Sequence, residues 1–362
     1  MILIISPTYG IDSGGNGKSA LLLFSRLRKL GQEAKVCVVN TGDGANYDHQ
    51  SIDHIKFNDR NPYILIALSY YLITHRDEIE KVIIMNGWLI FGALLPCRFL
   101  GLPIFYWGNN FKPFCANTVY YAENMCESCT LTRRATCTTM KRAFIYGIMK
   151  MLLRSKEIIF LSFSDASQRL AKMNARVSKV FRVTNLTECE LEEPQINHKL
   201  KRILVIGTFE AAKGSLNVVD FYNSFLAERE NYELIVIGRV IDTTAYEQLS
   251  NKKNVYFLGE LDNAEVMNYL DSSSFLLHLP TYLEPFARVW LEAAAKRCVI
   301  ISSEIPSAIE ILGDNVLYYP SGEREICSAL ESAHTRNVYI KRSRLWYDSL
   351  HSNLEPLIQS HC

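Results

Sequence analysis

The chain has 362 residues, 48% of them hydrophobic and 21% charged, with a formal net charge of +1. These values exclude a disordered chain, a collagen-like repeat and a strongly basic nucleic-acid coat, and the length suits two domains. The charge is unevenly divided: residues 1–190 hold 23 Lys and Arg against 15 Asp and Glu, and the remaining 172 hold 16 against 23, a pattern of two lobes with different partners.

The sequence opens Met1-Ile-Leu-Ile-Ile-Ser-Pro7 without the basic region of a secretory signal. The expectation is a cytoplasmic chain whose ten cysteines are reduced, buried or metal-bound. The first predicted strand is Ile2–Ser6, followed by a glycine-rich loop and a helix over Ser19–Leu30 with leucines near helical spacing. The loop Gly10–Ser19 invites a phosphate-loop reading, but Asp12 stands where that motif needs glycine, which rejects an ATPase. Gly14-Gly15 before a helix N-terminus suits an anion, or makes a plain turn. Further strands are expected at Ala34–Val39, Lys81–Met85, Ile104–Trp107, Glu157–Ser162 and Lys179–Thr184. The most apolar stretch, Val82–Gly108, parses better as strand, helix (Leu89–Leu100, kinked or stopped early by Pro96) and strand than as a membrane span.

Cys115, Cys126, Cys129 and Cys137 supply four thiolates in a short window. They suit a structural zinc ion that staples a loop, with free or oxidised thiols or another metal as alternatives. Seven Lys and Arg and no acid follow between Ser128 and Lys156. Among them Phe144, Ile145, Ile148, Met149, Leu152 and Leu153 recur near helical spacing. Residues 133–156 then read either as a basic amphipathic helix on an anionic membrane surface, or as a helix burying that apolar face and solvating its basic one.

Residues 188–201 are polar and charged and read as a linker. A second strand series follows at Arg202–Ile206, Tyr232–Ile237, Val255–Leu258, Phe275–Leu279 and Val299–Ser302. Strands alternating with helices in both halves predict two Rossmann-like α/β domains facing a cleft. The division is 1–187, the linker 188–201, 202–335, and a helical segment 336–362 that closes the second domain or crosses back. In the second half, Gly207 follows a strand and Lys213-Gly214-Ser215 opens a helix, placing a lysine where it can grip a diphosphate. Glu284 and Glu292 are eight residues apart, about 12 Å if all helical. With a helix beginning near Phe286, the N–H groups of Phe286 and Ala287 face an anion between them.

This set of residues resembles the retaining glycosyltransferases of family four, which have the GT-B fold, and within them a subgroup with a cysteine cluster in the acceptor domain. The resemblance rests on Glu284-Pro-Phe-Ala-Arg-Val-Trp-Leu-Glu292, on Val255–Gly259 before it and Leu291–Ile301 after it, and on Asn185-Leu-Thr187 and Gly14-Gly15. It implies transfer of a sugar from a nucleotide-diphosphate donor to a glycan or lipid-linked glycan in surface polysaccharide biosynthesis, with retained configuration. It also implies roles: Glu284 at the donor sugar, Phe286 and Ala287 at the diphosphate, Glu292 at the ribose. Lys213 would offset leaving-group charge, with Gly14, Gly15, Gly207, Thr208, Gly259, Glu260 and Arg288 completing the donor site. No Asp-x-Asp triplet occurs, so no cofactor is expected in the chemical step. Three positions depart from the family: Thr208 replaces an arginine, Ala287 a glycine, and Asn109 the histidine of a His-Asp pair. Arg239 or Arg288 are candidates to supply the charge absent at Thr208. The competing readings are an epimerase or phosphorylase on the same fold, and a zinc-bearing nucleic-acid binder. The latter leaves the C-terminal half without a role, so no nucleic-acid partner is expected, and the chain is placed in the cytoplasm or on the inner face of the membrane.

Overall fold

The computed structural model describes residues 1–10, 14–39, 51–55, 63–109, 140–186 and 199–350, with 354, 357 and 358. The chain divides into two compact units. The described residues up to Leu186 form one, together with Leu354, Leu357 and Ile358, and Lys199 to Leu350 form the other.

The first unit holds β1 (Ile2–Ser6), β2 (Ala34–Val39), β3 (Ile52–Ile55), β4 (Lys81–Ile84), β5 (Ile104–Trp107), β6 (Ile158–Ser162) and β7 (Lys179–Arg182). All pair parallel, in the order β3-β2-β1-β4-β5-β6-β7. A parallel sheet is covered on both faces, which is why β1, β5 and β6 are apolar and buried along their whole length. The linking helices are α1 (Gly14–Lys29), α2 (Tyr63–Thr74), α3 (Ile90–Leu100), α4 (Met140–Leu152) and α5 (Asp165–Leu170). From β1 to β2 the chain moves one way across the sheet; from β3 through β4 and β5 to β6 it moves the other. Right-handed crossovers therefore put α1 on one face and α2, α3 and α4 side by side on the opposite face.

Pro96 lies inside α3, which nevertheless runs on to Leu100 and ends at Gly101 in the left-handed region, so the early stop does not occur. Proline removes the N–H that would bond the carbonyl of Gly92, four residues back. The Ser69 hydroxyl of α2 donates to that carbonyl at 2.8 Å instead. Gly92 also lets the helices close up, since a Cβ there would stand 3.0 Å from Leu65 Cα.

The second unit holds β8 (Leu200–Ile206), β9 (Glu233–Ile237), β10 (Val255–Gly259), β11 (Ser273–His278), β12 (Val299–Ser303) and β13 (Leu317–Tyr319). They too are parallel, in the order β10-β9-β8-β11-β12-β13. Its helices are α6 (Ser215–Phe221), α7 (Thr243–Ser250), α8 (Asn263–Ser272), α9 (Arg288–Ala295), α10 (Pro306–Leu312), α11 (Glu323–Glu331) and α12 (Ala333–Ser349). Phe221, Phe225, Phe275 and Leu277 anchor its core. α12 packs on α9, α11 and β12, within this unit. Beyond it, the carbonyls of Leu357 and Ile358 each accept from Lys81 Nζ at 3.0 Å, inside the first unit.

β3 and β13 were not expected from the sequence; both are short edge strands, three or four residues long. β8 begins at Leu200, two residues inside the stretch read as linker. A larger correction concerns α4. Met149 and Leu153 are buried as expected, but Phe144 is 69% exposed and Lys150 only 3% exposed. At about 100° per residue, the six apolar positions from Phe144 to Leu153 span roughly half the helix circumference, so they cannot all meet the sheet. Among the described residues no helix is long and apolar enough to cross a membrane.

Candidate active site

In a doubly wound sheet, ligands bind beyond the carboxyl ends of the strands where the strand order reverses. In the second unit that point is β8, between β9 and β11. Gly207, just past β8, has φ 123° and donates its N–H to Ile237 O at 2.9 Å. Gly238, past β9, has φ 139°, and a Cβ there would lie 2.1 Å from Gly207 O. Its N–H donates to Gly259 O at 2.7 Å. Three glycines thus stand at three neighbouring strand ends, leaving Thr208, Gly259 and Glu260 at the rim. Glu260 is exposed and pairs with Arg239 at 3.1 Å, so the Arg239 guanidinium is already matched by a carboxylate.

Lys213 is placed by a tight junction. A single 3-10 turn, Ala211–Lys213, leads to Gly214, with φ 80°. A Cβ at Gly214 would fall 1.7 Å from Leu279 O, just past β11. Thr281 N–H donates to Ala212 O at 3.0 Å, and its hydroxyl to Ala211 O at 3.1 Å. These bonds hold the loop after β11 against the turn after β8. As a result, Lys213 Nζ lies 2.6 Å from Glu284 Oε2 and 2.6 Å from Tyr282 Oη. The Tyr282 hydroxyl donates to the same carboxylate oxygen. The Glu284 side chain is 11% exposed and that of Lys213 is 34% exposed, so the carboxylate is sunk while the ammonium keeps one side open.

The electrostatics follow from that packing. Burial by itself would raise the Glu284 carboxyl, but the Lys213 charge and the hydrogen bonds from Lys213 and Tyr282 outweigh it and hold it below the usual carboxylate value. Burial and the Glu284 charge push the Tyr282 hydroxyl well above an ordinary phenol, so it stays a donor. Buried His278 is pushed down to about 4, by burial first and the Lys213 charge second. It is neutral at pH 7, and its Nδ1 accepts from Trp290 Nε1 at 3.1 Å, which leaves its proton on Nε2.

α9 starts at Arg288, two residues later than expected, with Ala287 as an N-cap that has no side-chain hydrogen bond. Glu284 lies in the loop before the helix as expected, Phe286 lies in that loop too and not on the helix, and Glu292 is four residues inside α9, about 6 Å along its axis. Glu284, Phe286, Ala287 and Glu292 are all buried. Arg288, the first residue of α9, is lowered by burial, opposed by the nearby Glu292 and Glu284 charges. The second unit thus brings together a carboxylate held anionic, a half-open ammonium and a helix N-terminus. Such a site accepts hydrogen bonds from hydroxyls and supplies positive potential to an anion.

Tyr282, His278 and Trp290 were not identified from the sequence. Tyr282 sits two residues before the carboxylate it serves, a spacing that carries no signal without the loop's conformation. In the first unit, β1 lies at the order reversal, and Gly14 and Gly15 open α1 beyond its carboxyl end. Asn109, two residues past β5, donates through Nδ2 to Asn16 Oδ1 at 2.5 Å. The structure thus joins Asn109 to the turn carrying Gly14 and Gly15 through Asn16, which sequence reasoning missed although it adjoins the glycine pair. Cys115, Cys126, Cys129 and Cys137, and the basic residues Arg133 and Arg134, lie outside the described residues. Among those described, Cys37, Cys97 and Cys298 are buried free thiols and no metal-ligand cluster occurs.

Residues 187–346 match the family Glycosyl transferases group 1. A search of curated protein sequences finds no match for the chain. Solved structures match over nearly all of it. WaaG, a glycosyltransferase involved in lipopolysaccharide biosynthesis, is 17% identical with a TM-score of 0.70, covering 99% of this chain and 98% of that one. Anabaena Alr3699/HepE, in complex with UDP and glucose, is 14% identical with a TM-score of 0.69, covering 99% and 97%. Sucrose-phosphate synthase from Thermosynechococcus elongatus is 14% identical with a TM-score of 0.72, covering 99% and 96%. The protein therefore has the GT-B fold, two Rossmann-like units, and its second unit carries the glycosyltransferase group 1 sequence pattern.

Proposed function

We propose that the protein is a retaining glycosyltransferase that moves a sugar from a nucleoside-diphosphate sugar to a hydroxyl of a glycan or lipid-linked glycan. The observation that carries the proposal is the Lys213–Glu284–Tyr282 cluster at the order reversal of the second sheet. A carboxylate held anionic and fixed by two donors orients sugar hydroxyls; it has no free proton to give. The half-exposed Lys213 ammonium meets the charge that develops on the departing diphosphate. Arg288, at the first turn of α9, adds to the same potential. The bond between the anomeric carbon and the diphosphate oxygen breaks, the acceptor oxygen bonds that carbon on the same face, and its proton passes to the departing phosphate. No divalent ion is assigned to this step; Lys213 and Arg288 are the cations this site offers, each beside a carboxylate. UDP-sugars are the first donors to test, since UDP and glucose are bound in the Anabaena structure.

The test is a thermal-shift screen of UDP and UDP-sugars, followed by transfer assays with the donor that raises the melting temperature. Ligand binding to the folded state raises stability by about 2.7 kcal/mol at one hundred times Kd. Glu284→Ala should abolish transfer to acceptor while leaving the protein folded. Sugar transfer by Glu284→Ala at the wild-type rate would remove the proposal.

A further inference from the structure

His278 is the last residue of β11, the strand beside the order reversal at β8. It is 7% exposed, and Trp290 of α9 holds its imidazole. The indole donates from Nε1 to Nδ1 at 3.1 Å and meets the ring edge to face at 5.4 Å. Trp290 is itself fully buried and packs on Phe286, so the imidazole is fixed in one orientation. An indole nitrogen only donates, so Nδ1 carries no proton and the one N–H of the neutral ring is at Nε2. That group has no hydrogen-bond partner among the described residues, yet it keeps contact with solvent.

Glu284 shows the complementary pattern. It is 8% exposed, and both of its donors, Lys213 Nζ and the Tyr282 hydroxyl, go to Oε2. Oε1 accepts from no described residue and also keeps contact with solvent. The two side chains stand close enough for each to act on the other's ionisation. Nearly buried polar atoms without a protein partner are rare; here a donor and an acceptor occur together, each on a side chain locked by its neighbours. A carbonyl or phosphate oxygen satisfies only the N–H, and an ammonium satisfies only the carboxylate. A hydroxyl satisfies both, since it has one proton to give and two lone pairs to receive with. Given a nucleoside-diphosphate sugar in this site, on which the assignment rests, we propose that His278 determines donor specificity: its Nε2–H donates to the sugar hydroxyl whose own proton goes to Glu284 Oε1. The pair reads one hydroxyl from two sides and selects against a sugar that lacks it. Lys213, bound to Oε2, keeps its open side for the diphosphate.

The test compares UDP-glucose with UDP, which has no sugar, by titration calorimetry on the full chain. His278→Asn keeps an amide oxygen for the Trp290 N–H and removes the donor at the Nε2 position. It should raise Kd for UDP-glucose about tenfold and leave Kd for UDP unchanged. His278→Gln brings an amide N–H to the Nε2 position and should recover part of the loss, a rescue that a purely structural role does not predict. In the wild type, one of the monodeoxy UDP-glucoses should bind about tenfold or more weakly than UDP-glucose, a measurement that stands even where a variant does not fold. In His278→Asn the penalty for that same deoxy sugar should shrink. Three results overturn the role of His278 while UDP binding leaves the donor site standing: an unchanged ratio of the two Kd values in folded His278→Asn, wild-type binding indifferent to every deoxy position, or binding of UDP without UDP-glucose. Binding of neither UDP nor UDP-glucose overturns the donor-site reading, and the role of His278 with it.

Discussion

Replacing Lys213 by methionine tests whether the cluster is electrostatically built as described. The side chain keeps its length and loses its charge, so Glu284 retains the Tyr282 donor but not its cation. Breaking a buried ion pair costs about 3–5 kcal/mol. Lys213 is 34% exposed, so a discounted value of about 2 kcal/mol is expected at pH 7. For a unit of this size that is a fall of about 4–8 °C in melting temperature. The pH dependence separates this from a packing loss. In the wild type the Glu284 carboxyl lies below its usual value, so its stabilising contribution is present above the unfolded pKa and is lost as pH falls through the folded one. In Lys213→Met the cation and its hydrogen bond, which together oppose burial most, are gone, so the folded pKa rises although the Tyr282 hydrogen bond remains. The variant therefore lacks much of that contribution at neutral pH, and the difference fades as pH falls and the carboxyl takes up a proton. The melting-temperature gap between the two proteins should therefore be wide at pH 7 and narrow toward pH 4. A gap of the same size at both pH values would refute the reasoning.

Three further outcomes are expected. Gly214→Ala should cost about 3 kcal/mol or more, read by urea denaturation, because its Cβ would fall 1.7 Å from Leu279 O at φ 80°; the same variant should lose transfer activity as Lys213 is displaced. Asn109→Ala removes the donor to Asn16 Oδ1 and should lower transfer about tenfold with an unchanged melting temperature for bound donor; unaltered transfer would detach Asn109 from the chemistry. Metal analysis of purified protein should find about one zinc per chain, lost in Cys126→Ser/Cys129→Ser, and metal-free folded protein would exclude that ion.

Much of the fold was legible because strand and helix periods are local. Ile2–Ser6 and Ala34–Val39 appear where they were expected, since a parallel sheet buried on both sides writes itself as short apolar runs. Edge strands such as Ile52–Ile55 do not, because solvent on one side lets Asp53 and His54 interrupt the apolar pattern. Glu284, Lys213 and Glu292 stood out by their pattern, and the structure brings Lys213 to Glu284. What the pattern did not contain was the clamp between Thr281 and the turn at Ala211–Lys213, or the Tyr282 hydroxyl that completes the carboxylate's contacts.

A net charge of +1 divides into a basic half and an acidic half, and that division is a property of the sequence alone. So are the alternation of strands and helices and the glycines Gly207 and Gly259 that end β8 and β10. Which side of a helix faces the sheet was decided only in three dimensions. α4 is apolar around too much of its circumference for periodicity to choose a face, and tertiary packing buried Met149, Leu153 and Lys150 while leaving Phe144 in solvent. The positive potential of the acidic half is likewise local, made where Lys213 and the first turn of α9 converge at one strand end. Composition sums over residues without regard to place; a site depends on which of them meet.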